Sequence, residues 1–135
     1  MSLEVNKKVV VDFFAAISAR DARRLSELMH ANFQWWIIGA LPFSGTKDGA
    51  AFKGAVQMLW DVIEGPVALH VDQLTAEDDR VALIAHGKMV TKTGMRYDNT
   101  YNLLLTVKDG KIVEEKGLDD GVAALTQLGL LAVVA

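Results

Sequence analysis

Residues 96–119 read RYDNTYNLLLTVKDGKIVEEKGLD, two runs of alternating apolar and polar side chains around the pair Asp109-Gly110. A period of two marks half-buried strands, and Asp-Gly between two such runs marks a hairpin. The spacing Val107-Lys108-Asp109-Gly110-Lys111 suits a three-residue loop, a type I turn followed by Gly110 in a left-handed bulge. In that register Leu105 faces Val113, Leu103 faces Glu115, Tyr101 faces Gly117 and Asn99 faces Asp119. Leu103, Leu105, Val107 and Val113 then form the apolar inner face, continued towards one end by Tyr97, Asn99, Tyr101, Glu115 and Asp119. A two-residue turn shifts the pairing and dissolves that cluster.

Working outward, the same period runs back to Val67. It predicts four strands at about 67–76, 79–92, 96–107 and 111–118, turned at Asp78-Asp79, Thr93-Gly94 and Asp109-Gly110. Upstream the period lengthens. Val5, Val9, Phe13 and Ile17, widened by Val10 and Phe14, predict a helix over 4–19. Asp21 is placed to cap a short second helix carrying Leu25, Leu28 and Met29 and ending at His30. Phe33 to Ile38 reads as a strand, and Pro42, Ser44 and Gly45 as a loop. Phe52, Val56, Leu59 and Ile63 predict a third helix stopped by Gly65-Pro66, and Asp120 caps a last helix over 121–128. Three helices with one strand among them, followed by a four-stranded meander, make an α+β domain and not a parallel α/β sheet.

The whole chain, 1–135, fits one domain, which at this length buries roughly two thirds of its unfolded surface. Apolar residues make up 51% and charged residues 23%, a composition that supports a core. The net charge is −3 and the basic residues are scattered, which argues against nucleic acid, whose phosphates need a basic face. There is no cysteine, which removes disulfides, thiolate metal ligands and a Cys nucleophile and makes the cytoplasm the default compartment. No targeting segment is expected from the charged N-terminus. The apolar tail Leu128 to Ala135 is far short of the roughly 20 residues of a membrane span. It is expected to pack on the domain or on a partner subunit.

Several short stretches, in this order and spacing, resemble the SnoaL-like branch of the NTF2-like superfamily. They are Phe13-Phe14, Ala19-Arg20-Asp21, Asn32-Phe33-Gln34-Trp35, and Ser44-Gly45-Thr46 with Gly49. Further on come Glu77-Asp78-Asp79-Arg80-Val81, Tyr97-Asp98-Asn99-Thr100-Tyr101, and Asp109-Gly110-Lys111-Ile112 followed by Asp120. That superfamily includes ketosteroid isomerases, polyketide cyclases and limonene-epoxide hydrolases. The resemblance implies an NTF2-like, or cystatin-like, cone: a curled, mostly antiparallel sheet wrapped around the N-terminal helices and enclosing a cavity. It also implies dimerisation through the outer sheet face.

Function does not travel with such a fold. Ketosteroid isomerases use an Asp base with a Tyr and a protonated Asp as oxyanion donors. Carried across by the resemblance, the Tyr falls on Phe13 and the base on Ile37, or on Trp36 with the strand shifted by one. The second Asp falls on Tyr101, which retains a donor. The last-strand carboxylate of the epoxide hydrolases lands on Gly117. The chain is therefore not expected to be a true ketosteroid isomerase.

Glu115 is the candidate catalytic residue. Facing inward, it places a carboxyl in an apolar cavity, where desolvation disfavours the charged form and suits acid–base work. Facing outward, it is solvated or paired with Lys116 or an arginine. Tyr101 and Asn99 are candidate anchors for a ligand carbonyl, with Tyr97, Trp35, Phe13, Ile37 and Asp119 as further ligand-binding candidates. Phe33, Phe52, Met58, Leu59 and Trp60 read as apolar wall, and Trp36 and Ile38 should point outward and be covered.

The histidines lack metal-ligand spacing, and no metal or cofactor is expected. His86 belongs to the outer face; His70 is a remote proton-transfer candidate. Three readings stay open. One is an acid–base isomerase, cyclase or hydrolase acting on a small hydrophobic molecule. The second is a noncatalytic binding module with the same pocket, and the third a dimerisation domain with a filled core. In each, a homodimer through Ala82, Ile84, His86, Val90, Asn102 and Leu104 is expected, without nucleic acid or membrane.

Overall fold

The computed structural model describes residues 2–118. Helix α1 runs Leu3–Ser18, with Ser2 capping it by accepting from the Val5 amide. The buried stripe is Asn6, Val9, Val10, Phe13, Phe14, Ala16 and Ile17, and Val5 is exposed. Each four-residue step overshoots one helical turn by about 40°, so a run of such steps walks Val5 off the face that holds Ile17. Asn6 stands there instead. Its Nδ2 donates to the carbonyl of Asp78 at 3.3 Å, and Oδ1 has no hydrogen-bond partner among the described residues.

α1 ends in a Schellman motif: the Arg20 amide bonds the carbonyl of Ile17 and that of Asp21 bonds Ala16. The motif puts Arg20 at φ 55°, a left-handed conformation that Gly adopts more readily. The Arg20 guanidinium compensates by donating to the carbonyls of Ile63 and Gly65, at 3.1 and 2.9 Å. Trp60 adds an indole bond to the Ile17 carbonyl at 2.8 Å. The end of α1 is thereby fastened to the exit of α3, Gly49–Val62. α2, Ala22–Leu28, is capped by Asp21 as expected.

Strands are β1 Met29–Ile37, β2 Gly45–Asp48, β3 Ile63–Glu64, β4 Leu69–Glu77, β5 Arg80–Thr91, β6 Arg96–Lys108 and β7 Lys111–Gly117. Three points differ from expectation. β1 starts at Met29, so His30 is in a strand; β2 lies where a loop was read; and β3 follows α3 directly. The sheet order is β2-β1-β7-β6-β5-β3, with β4 also on β5. Every pairing is antiparallel except β1 with β7. The predicted helix over 121–128, the Asp120 cap and the apolar tail lie outside the described residues.

The last hairpin turns in two residues, not three. Lys108 pairs with Lys111, and Asp109 and Gly110 take φ of 54° and 73°, the left-handed pair of a type I′ turn. Leu105 therefore faces Glu115, and Leu103 faces Gly117. Ile112, opposite Val107 and fully buried, takes the inner place expected of Val113. The cluster survives the shorter turn because Val113 is an extra residue between the Val107–Ile112 and Thr106–Glu114 pairs. That bulge restores the parity the turn removes, so Glu115 faces inward and is only 4% exposed.

Candidate functional site

Inward side chains of the curled sheet meet α1 and α3 around a hollow of about 210 Å³ bounded by described residues. Helix α1 contributes Phe14 and Ile17, and α3 contributes Val56, Met58 and Leu59. Trp35 and Ile37 of β1, Tyr97, Tyr101 and Leu103 of β6 and Glu115 of β7 line the sheet side. Phe43, in the β1–β2 connection, stands at the edge. The walls are apolar, and the polar side-chain groups among these lining residues are the two tyrosine hydroxyls, the Glu115 carboxyl and the Trp35 indole nitrogen.

Strand parity sets each position. Trp35 and Glu115 are Cα partners across the parallel β1–β7 pair, and so turn to the same face. Tyr97 and Tyr101 lie four residues apart on β6, and their hydroxyls meet at 3.1 Å. Asn99 lies between them with its Nδ2 donating to the Tyr97 hydroxyl at 2.9 Å. Trp35 packs edge-on against Phe52, with ring centroids 5.1 Å apart.

Of the expected site residues, Glu115, Tyr101, Tyr97, Trp35 and Ile37 come together around the hollow. Asn99 is buried behind Tyr97 and acts on the lining through that hydroxyl. Phe13 is fully buried beneath it, packed against Phe14, Phe33 and Phe52. Its neighbour Phe14 reaches the hollow instead. Asp119 lies outside the described residues. Sequence reasoning missed Phe43, Leu69 and Ala85 of the lining. Leu69 and Ala85 were readable, since they alternate with outward residues on β4 and β5.

The remaining polar groups stand elsewhere. His70 and His86 are Cα partners on the outer face with ring centroids 5.1 Å apart, so His70 is remote from the hollow. His86 Nδ1 lies 2.8 Å from Asp72. His30 Nδ1 accepts from the Asn32 amide. Asp98 points outward to Arg96, and its carboxylate raises the pKa of that guanidinium through a hydrogen bond at 3.1 Å. Among the described residues no three His, Asp or Glu side chains converge as metal ligands. No helix among them is long and apolar enough to cross a membrane.

The outer face carries Ala82, Ile84, Val90, Asn102 and Leu104, all exposed, with His86 half-buried. Ile38 is 44% exposed, and Trp36 is half-buried in a groove with Gln34, Thr46, Glu114 and Lys116.

A helix-lined, curled mixed sheet of this order is the architecture of NTF2-like proteins, and solved structures bear the likeness out. One is an NTF2-like protein from Burkholderia xenovorans LB400: TM-score 0.75, 23% identity, 95% of this chain and 98% of that one covered. AclR from Streptomyces galilaeus, a proposed hydroxylase, gives 0.81 at 20% identity over 99% and 87%. IdmH from Streptomyces antibioticus, a proposed polyketide cyclase, gives 0.76 at 20% over 92% and 98%. Within that fold the chain belongs to the SnoaL-like domain family, whose model matches residues 10–115. No curated protein matches the chain.

Proposed function

We propose that the hollow binds a small hydrophobic molecule bearing a carbonyl, and that Glu115 exchanges protons with it in an isomerase- or cyclase-type reaction. The observation that carries this reading is a carboxyl 4% exposed on a mainly apolar lining that also carries the hydroxyls of Tyr97 and Tyr101. A carboxylate that takes a proton from the carbon beside a carbonyl leaves an enolate, whose oxygen needs a hydrogen-bond donor. Tyr101 supplies that donor. An engineered cavity of about 150 Å³ accepts benzene. A hollow of about 210 Å³ thus suits one or two rings better than four. The likeness to a proposed polyketide cyclase is compatible with this chemistry and supports the fold alone.

The test uses 2-acetylnaphthalene in heavy water. Saturable quenching of tryptophan fluorescence reports binding, and NMR follows deuterium entry into the methyl ketone. Wild type should accelerate exchange and Glu115→Gln should not, while both bind the ketone. Equal exchange by the two proteins removes Glu115 from the reaction.

A second reading is a noncatalytic binding module of the same fold. It is favoured by Phe13, Ile37 and Gly117, apolar at positions where catalytic relatives carry polar groups. Binding of the ketone without any exchange selects it. In either case we propose a homodimer through the outer sheet face, with Ile84 and Leu104 at its centre, because these exposed apolar groups neighbour hydrogen-bonding side chains.

A further inference from the structure

Strand β2 brings a cation to the inner face. Lys47 is the Cα partner of Trp35 across the antiparallel β1–β2 pair, so it shares the face that looks into the hollow. The side chain is half-buried, and its ammonium stands 5.5 Å from the centroid of the Trp35 ring. It donates to the backbone carbonyl of Phe43. A π face and one neutral carbonyl hold the charge, with no carboxylate in ion-pair contact among the described residues. Both groups that hold it, Trp35 and Phe43, also line the hollow.

Three residues therefore form one row across the sheet: Lys47 on β2, Trp35 on β1 and Glu115 on β7. Two strand spacings, roughly 10 Å, separate the ends of that row. Glu115 belongs to the lining of the hollow, whereas Lys47 stands just behind that lining, against Trp35 and Phe43. Acid–base capacity stands at Glu115 and a fixed positive charge at Lys47, with an aromatic ring between them.

We infer that Lys47 is a specificity-determining residue, and that the ligand of this site carries an anionic oxygen group, a carboxylate or an enolised hydroxyl, on its ring system. This deepens the pocket reading above and rests on it. An ammonium has three donors and no acceptor, and the Phe43 carbonyl uses one of them. The remaining donors are available to an anionic oxygen brought in over the Trp35 face. The apolar wall binds the ring, and Lys47 selects which end leads.

The experiment compares two probes of one shape, 2-naphthoate and 2-acetylnaphthalene, which differ by an anionic oxygen in place of a methyl group. Tryptophan quenching of the full chain gives an affinity for each. In Lys47→Met the ratio of naphthoate to ketone affinity should fall about fivefold, as befits a partly solvated charge-assisted bond. Ketone affinity should stay within about twofold, and Lys47→Arg should keep the wild-type ratio. Lys47→Gln serves as a second neutral variant should Lys47→Met fail to fold. The difference should also shrink as salt rises. An unchanged ratio in both neutral variants, with the ketone still bound, overturns the role of Lys47 and leaves the pocket standing. Failure of wild type to bind either probe overturns the pocket reading, and this inference with it.

Discussion

Glu115 and Leu105 stand directly opposite each other on antiparallel strands, and it is the extra residue Val113 that brings them face to face. Counting from the two-residue turn alone would leave Glu115 opposite Leu104, on the exposed side of the sheet. One bulge thus decides whether the chain has a buried carboxyl at all. Deleting Val113 should close the bulge and leave Glu114 opposite Thr106 and Glu115 opposite Leu105, so the carboxyl stays on the inner face. Denaturant unfolding should show a change of no more than about 1 kcal/mol, because Ile112, Glu115 and Gly117 keep their inner places. A large loss of stability together with loss of ketone binding would show that the extra residue itself, and not the pairing around it, holds Glu115 inward.

Glu115→Gln conserves shape and one acceptor oxygen, puts an NH2 donor in place of the other, and removes a group whose charged form is costly to bury. Its melting temperature should equal or exceed that of wild type, with proton exchange abolished. Calorimetry showing a large drop would instead assign Glu115 a structural duty.

Tyr97→Phe removes the hydroxyl that accepts from the buried Asn99 and meets Tyr101. A loss of about 1–2 kcal/mol is expected by chemical denaturation. An unchanged stability would mean that the Asn99 bond is of no consequence.

Arg20 combines a left-handed backbone with a two-pronged clasp on Ile63 and Gly65. Arg20→Ala loses the clasp and keeps the backbone cost, so it should destabilise by about 1–2 kcal/mol. Arg20→Gly relieves the backbone and should be less harmful by about 1 kcal/mol. Parity between the two variants would show that the conformation at this corner carries no cost.

On the outer face, Ile84→Glu should leave folding intact and yield a monomer, whereas wild type should sediment as a dimer at micromolar concentration. A monomeric wild type would end the dimer proposal.

The fold was largely legible because period and punctuation agreed along the chain. Asp21 capped a helix, Asp78-Asp79 and Asp109-Gly110 made turns, and the alternation through β5 and β6 sorted inner from outer residues. The misreadings share a cause. β2 is four residues long, too short to show an alternation, so Gly45 read as loop and Lys47 went unread. Phe13 and Phe14 both lie inside, and only their packing decides which one touches the hollow. The Val113 bulge left no mark in the alternation, because two neighbouring apolar residues, Ile112 and Val113, serve either register equally well.

The parallel seam between β1 and β7 has a consequence for how the molecule is made. Trp35 and Glu115 become neighbours only across some eighty residues of chain, the most expensive kind of contact for a folding polypeptide to close. During synthesis the β5–β6 hairpin has everything it needs early, whereas β1 must wait with an unpaired edge until β7 has left the ribosome. Among the described residues the chamber is thus the last part to come into existence. Any lesion that delays β7 leaves an open strand edge exposed to aggregation before it affects chemistry.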